Sequence, residues 1–229
     1  MLETLRAEVL EANLELVRRG LVIYTFGNAS AVDRVAGLCV IKPSGVPYEN
    51  MTPADMVITD LQGNIVEGKL RPSSDLPTHV ALYRAYPSIG GVVHTHSRHA
   101  TAWAQAQREI PCFGTTHADY FHGPIPVTGP LTPEEIEGDY EGNTGAAIIR
   151  RLGDLDPLAC PGCLVSGHAP FTWGATVAKA AQMAVIVEEI AAMAWETVTI
   201  NPNATAICEA QRDKHHFRKH GPGAYYGQK

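Results

Sequence analysis

Apolar residues recur along this chain with two periods, and the switches between them mark out its elements. Leu5, Val9, Ala12 and Leu16 fall on one helical stripe, Arg18 and Arg19 close the last turn and Gly20 supplies a stop, so residues 2–19 predict an amphipathic helix. Residues 21–25 read as a strand ending in the small polar turn Phe26-Gly27-Asn28-Ala29-Ser30. A second strand, 38–41, runs into Lys42-Pro43-Ser44-Gly45. Thr52-Pro53-Ala54-Asp55 predicts a short helical turn, and residues 57–59 and 64–67, flanking Leu61-Gln62-Gly63, a hairpin. Arg71-Pro72-Ser73-Ser74-Asp75 is a third polar turn, leading into a helix from about 77 to 86.

The run Val92-Val93-His94-Thr95-His96, entered through Gly90-Gly91, reads as a buried strand, with Ser97 as the N-cap of a helix reaching 105. Residues 110–113 predict a short strand and 114–120 a polar loop. Thr132-Pro133-Glu134-Glu135 is a capping box. A helix over 144–152 then precedes a strand over 163–166, which ends in the loop 167–174. Residues 177–196 predict a long alanine-rich helix and 213–220 a basic, histidine-rich one.

With 229 residues and no linker-like stretch, the chain fits one domain, 1–229, with a tail from about 213. A net charge of -6 excludes a general nucleic-acid binder, which carries a basic face. No apolar run is long enough for a membrane span and the first residues lack a signal-peptide pattern, so a soluble, cytoplasmic protein is expected. The five cysteines form no disulfide framework. Cys160-Pro161-Gly162-Cys163 is a lone CxxC leading into a strand, and reads as incidental thiols.

Candidate chemistry centres on the paired histidines. Residues two apart in a strand face the same side, so His94 and His96 present both imidazoles to one point. Such a pair suits a metal ion or forms hydrogen-bonded surface histidines, and the pair alone does not separate these. His168, at a predicted strand end, is likewise a structural histidine or a third ligand. The three polar turns can offer N–H groups and hydroxyls to an anion, or merely reverse the chain. Ser73, Ser74 and Asp75 can cap the following helix, bind a phosphate there, or both. Tyr225 and Tyr226 lie in a glycine-rich tail and would be exposed unless they dock on something.

Together, Gly27-Asn28, Lys42-Pro43-Ser44-Gly45, Pro72-Ser73-Ser74-Asp75, His94-Thr95-His96-Ser97-Arg98-His99, Thr115 through Phe121, His168 through Gly174, Lys219-His220-Gly221 and Tyr225-Tyr226-Gly227-Gln228 closely resemble the class II aldolase/adducin family. The likeness runs the length of the chain and is strongest to the family's sugar-phosphate epimerases. It implies an α/β fold, a three-layer α/β/α sandwich around a mixed, largely antiparallel sheet, assembled as a homotetramer with active sites between subunits.

By the same resemblance His94, His96 and His168 are zinc ligands, with Asp75 a carboxylate at the metal. Gly27, Asn28, Ser44, Gly45, Ser73 and Ser74 form the substrate and phosphate pocket. Asp119 and Tyr226 are an acid–base pair supplied by the adjacent subunit, and Lys42, Thr115, Glu141, His215 and Arg218 match further active-site positions. The implied reaction interconverts L-ribulose 5-phosphate and D-xylulose 5-phosphate. It proceeds by retro-aldol cleavage of C3–C4, rotation of glycolaldehyde phosphate and re-addition to the metal-held enediolate. Asp75 favours this over a sugar-phosphate aldolase, because the aldolase relatives commonly carry glutamate there. The adducin branch, an interaction domain, lacks the metal ligands present here. Such ligands admit zinc, manganese or cobalt. Ala169, where glycine is more usual, and the Cys160/Cys163 pair depart from the family pattern without removing a catalytic group.

Overall fold

The computed structural model describes residues 1–227, so Gln228 lies outside the described residues. Seven strands make one sheet: β1 Asn28–Asp33, β2 Leu38–Ile41, β3 Val57–Asp60, β4 Ile65–Glu67, β5 Gly91–His94, β6 Gly162–Leu164 and β7 Pro170–Gly174. Their spatial order is β4-β3-β2-β1-β5-β7-β6, and every neighbouring pair is antiparallel. The one parallel pairing among the described residues is the isolated bridge Val127↔Leu164. The helices are α1 Glu3–Arg18, α2 Leu76–Ala85, α3 Arg98–Gln105, α4 Thr115–Ala118, α5 Pro133–Glu137, α6 Tyr140–Leu152, α7 Val177–Ile200 and α8 Glu209–Lys219.

Period-2 alternation divides the sheet between two apolar clusters. Ala29, Ala31, Val40, Ile58 and Val93 face α1 and the first turns of α7. Cys39, Ile41, Val57, Val92, Phe171 and Trp173 face the cluster containing α2 and α6. Helices on both faces give the three layers expected from the sequence. The approach of α7 to β5 depends on Gly91, where an added Cβ would lie 2.3 Å from the Val177 Cα.

Several expected elements shift, each for a physical reason. Residues 21–25 are a turn, not a strand: Tyr24 sits at φ 53, and Ile23 and Tyr24 are exposed. The strand lies instead in the small-residue run Asn28-Ala29-Ser30-Ala31, which lacks β-branched side chains because α1 packs directly on it. Asn13 of α1 accepts the Ala29 N–H at 3.0 Å and donates to the Ala29 carbonyl at 3.3 Å. Residues 110–113 contribute only the bridge Ile110↔Ile125, since Pro111 has no N–H to extend a ladder. The supposed loop 167–174 contains β7, whose proline occupies the tolerated first position of a strand. Helix α6 starts at Tyr140 rather than near 144, with the Asp139 side chain capping the Gly142 N–H.

The register matters for function. Asn28 pairs with His94 across β1 and β5, and His94 with Phe171 across β5 and β7, so three strands bring these side chains into one row at one end of the sheet.

Candidate metal centre and substrate cavity

Strand β5 stops at His94, and His96 belongs to the three-residue connection to α3. The two rings nevertheless meet, with their Nε2 atoms 3.1 Å apart. His168 enters from the turn between β6 and β7, and one ligating nitrogen from each of the three residues lies within 4.8 Å of the others. His94 is fixed most tightly. Its Nδ1–H donates to the Pro170 carbonyl at 3.0 Å, and its ring stacks on Phe171 with centroids 4.1 Å apart. That bond places the proton on Nδ1 and leaves the Nε2 lone pair facing the other two imidazoles, as a metal ligand requires. Burial holds His94 and His168 below the ordinary histidine range. Ala169 is buried and does not have positive φ, so its methyl is accommodated beside His168.

The triad opens into a cavity of about 500 Å³ lined also by Gly27, Asn28, Lys42, Ser44, Gly45, Ser73, Ser74, Asp75 and Glu141. Two polar turns line it and are stitched together: Ser73 N donates to the Lys42 carbonyl at 2.9 Å and Ser44 N to the Arg71 carbonyl at 2.9 Å. Asp75 is the N-cap of α2, so Ser73, Ser74 and Asp75 surround the positive end of a ten-residue helix. Gly27, at φ +115, cannot carry a side chain: a Cβ there would lie 2.8 Å from Val22 Cγ1 and 3.0 Å from the His94 carbonyl oxygen.

Asn28 Nδ2 donates to Asp75 Oδ2 at 2.6 Å and to Ser73 Oγ at 2.9 Å. Because a carboxylate only accepts, the amide orientation is fixed, and the buried Asn28 Oδ1 is left without a partner among the described residues. Burial would raise the Asp75 pKa, but His94, His79, the Asn28 amide and His168 outweigh it and keep the carboxyl ionised. Asp75 does not join the mutual cluster of the three imidazoles. Lys42 is buried, its ammonium donating to the Pro43 and Val46 carbonyls at 3.2 Å and lying 4.8 Å from the Tyr48 ring centroid. Burial pushes it down to about 8.

The donor set fits a divalent cation. Without one, the cavity carries one cationic side chain, Lys42, against the two carboxylates Asp75 and Glu141. A doubly charged anion would find little net attraction there. A cation held by three neutral imidazoles reverses that balance and matches the three-ligand pattern that leaves a position open for substrate.

The remaining candidates form a second cluster. Asp119 follows α4 and receives Arg218 Nε at 2.9 Å and Nη2 at 2.7 Å, with His215 Nδ1 at 3.3 Å and Lys219 Nζ at 3.4 Å. Burial opposes ionisation of Asp119, but Arg218, Lys219 and His215 together hold its pKa below the usual carboxylate range. Arg218 also lies 4.9 Å from the Tyr226 ring centroid. Tyr226 is 60% exposed, and Thr115 begins α4 on the same side. None of Thr115, Asp119, His215, Arg218 or Tyr226 lines the cavity of its own chain.

Tyr140 belongs to the cavity and was missed in the sequence. Its hydroxyl lies 3.4 Å from His168 Nδ1. The Asp139 cap that starts α6 there was the available signal. Cys160 and Cys163 are buried free thiols whose pKa values burial raises, Cys160 to about 11, consistent with inert thiols.

Antiparallel sheet, flanking helices, histidine triad and the polar turns beside it together define a class of protein. Residues 7–195 match the family described as Class II Aldolase and Adducin N-terminal domain, and the chain belongs to that family. Over 228 residues, covering 100% of both chains, it is 56% identical to L-ribulose-5-phosphate 4-epimerase UlaF of Salmonella paratyphi A. Among solved structures it resembles an L-fuculose 1-phosphate aldolase, with TM-score 0.79, 22% identity and coverage of 94% and 95% of the two chains. The L-fuculose-1-phosphate aldolase of Thermus thermophilus gives TM-score 0.70 at 24% identity, covering 88% of this chain and 99% of that one. At these identities the structural likeness establishes the fold.

Proposed function

We propose that this chain interconverts L-ribulose 5-phosphate and D-xylulose 5-phosphate in a metal-dependent reaction that breaks and remakes the C3–C4 bond. The observation that carries the proposal is the convergence of three imidazoles and two polar turns on one cavity, in a chain similar over its whole length to such an epimerase. His94, His96 and His168 would hold the cation, with Asp75 beside it. When bound, zinc or a similar divalent ion supplies Lewis acidity for the negative charge left when a bond next to a ketone breaks.

The chain's own groups supply the rest. Ser44, Gly45, Ser73, Ser74 and the N-terminus of α2 grip the phosphate, and Lys42 adds the one cationic side chain. That grip is needed because the two-carbon phosphate fragment must turn over without leaving. Asn28 holds Asp75 with its amide and keeps its Oδ1 for a substrate hydroxyl. Removal of the C4 hydroxyl proton lets that oxygen form a carbonyl, while the C3–C4 electron pair moves to the C2–C3 side. Re-addition to the opposite face of the aldehyde needs a proton returned to the new hydroxyl. Asp119 and Tyr226 are the acid–base pair in this proposal. Since neither lines the cavity of its own chain, a neighbouring copy in a homotetramer contributes them. Glu141 lies at the cavity edge, and Thr115, His215 and Arg218 act with Asp119.

Exhaustive chelation should abolish turnover, and re-addition of zinc, manganese or cobalt should restore it. Turnover that survives complete metal removal would refute the metal's role.

A further inference from the structure

We propose that Glu188, on α7, is a positioning residue that sets the place of His96 at the metal centre; this rests on the metal assignment above. His96 is the least supported of the three histidines. It lies outside β5, exposed toward the cavity, in the stretch 95–97 between the last sheet residue, His94, and the first residue of α3, Arg98. One end of this stretch is anchored by the pairing of His94 with Phe171 and Asn28. The place of His96 therefore depends on what anchors the other end.

Glu188 is that anchor. Its Oε1 accepts the His99 N–H at 2.9 Å and the His99 Nδ1–H at 2.8 Å, and its Oε2 accepts the Ala100 N–H at 3.0 Å. The Ser97 side chain makes no cap bond, so a carboxylate from another helix satisfies the free N–H groups at the start of α3. The Glu188 side chain is 17% exposed, and its negative charge also meets the positive end of the helix.

Two further contacts fix the register of α3 on α7. The Trp103 Nε1–H donates to the Ala191 carbonyl at 3.0 Å, and the His99 ring lies 6.1 Å from that of Trp195. Positions 188, 191 and 195 share one face of α7. The same helix abuts β5 at Gly91 and accepts a hydrogen bond from Thr172 of β7 at the Ala180 carbonyl. One rigid element thus holds the strand that carries His94, the strand that follows His168 and, through Glu188, the helix that follows His96.

The test compares metal affinity, by titration against a competing chelator, in wild type, Glu188→Gln and Arg6→Met. The visible spectrum of each cobalt-loaded protein is recorded alongside. Arg6 is buried and bridges Pro53, Ala54, Met56 and Glu67, outside the cavity, so its loss lowers stability without touching α3. Glu188→Gln keeps size and shape but loses the charge that binds three donors. It should lose about tenfold or more in metal affinity and change the cobalt spectrum, as removal of a group supporting a ligand does. Arg6→Met should do neither. Glu188→Asp, which keeps the charge on a shorter arm, should fall between and serves if the Gln variant does not fold. Wild-type affinity and spectrum in folded Glu188→Gln would overturn the proposal, and so would an equal loss in Arg6→Met. A wild-type chain that takes up no metal would overturn the metal assignment and this inference with it.

Discussion

Replacing Lys42 by methionine should make the protein more stable at neutral pH while disabling it. Lys42 is 2% exposed, and no carboxylate pairs with it among the described residues. Burial moves its pKa from the ordinary 10.5 to about 8. The folded chain therefore binds this proton less tightly than the unfolded chain. Below the folded value both states are protonated and the full penalty applies. As pH rises above about 8 the folded chain sheds the proton first, and wild-type stability increases toward the unfolded value. At about 1.4 kcal/mol per pH unit the gap corresponds to a ceiling of about 3 kcal/mol. Methionine relieves that penalty but leaves the Pro43 and Val46 carbonyls without a donor, at roughly 1 kcal/mol each.

The expected net gain at pH 7 is about 1 to 2 kcal/mol, shrinking toward zero or reversing near pH 9.5. Urea unfolding at fixed chain concentration at both pH values measures it, with a product assay alongside that should fall by about a hundredfold or more. A Lys42→Met protein less stable than wild type at pH 7, or a wild type that loses stability from pH 8 to 9.5, would refute the reasoning. Such a result would mean that the buried ammonium is compensated in the free protein. The predicted result would mean that the cation is held ready for an anion at a cost to the fold.

Three further outcomes follow from the geometry. Gly27→Ala forces a left-handed backbone on an L residue at about 1 to 2 kcal/mol and drives a methyl against Val22 and the His94 carbonyl. Calorimetry should show a lower melting temperature, and chelator competition a weaker metal site. Asp119→Asn and His96→Asn chains, each inactive alone, should regain activity when dissociated and reassembled together, because a hybrid joins an intact metal half to an intact acid–base half. Failure of mixed oligomers to recover any turnover would place both halves in one chain. Deleting residues 222–229 should cripple turnover and leave metal content unchanged, whereas loss of metal with activity would make the tail structural.

Much of the fold and site was legible in local patterns. The stripe of α1, the hairpin of β3 and β4, and the apolar run before His94 all declare themselves through periodicity. The capping box on α5 and the length of α7 do so equally plainly. What failed depends on partners distant in sequence. Asn28-Ala29-Ser30 looks like part of a turn because a strand beneath a closely packed helix needs small residues. Residues 21–25 look like a strand from their β-branched and aromatic content, yet Ile23 and Tyr24 are exposed and Tyr24 takes a left-handed backbone. The strand that stacks Phe171 on His94 begins with proline and reads as a loop. His94 and His96 were paired by an assumed common strand, yet the chain leaves the sheet between them. Their convergence depends on the start of α3, which Glu188 anchors from 89 residues away.

The most direct test of the central claim is to incubate the metal-loaded protein with L-ribulose 5-phosphate and follow both the ketose phosphates and the cleavage fragments. D-xylulose 5-phosphate should form until the two epimers reach equilibrium, with no build-up of free dihydroxyacetone or glycolaldehyde phosphate. Accumulation of the fragments without D-xylulose 5-phosphate would identify an aldolase and contradict the proposed epimerisation.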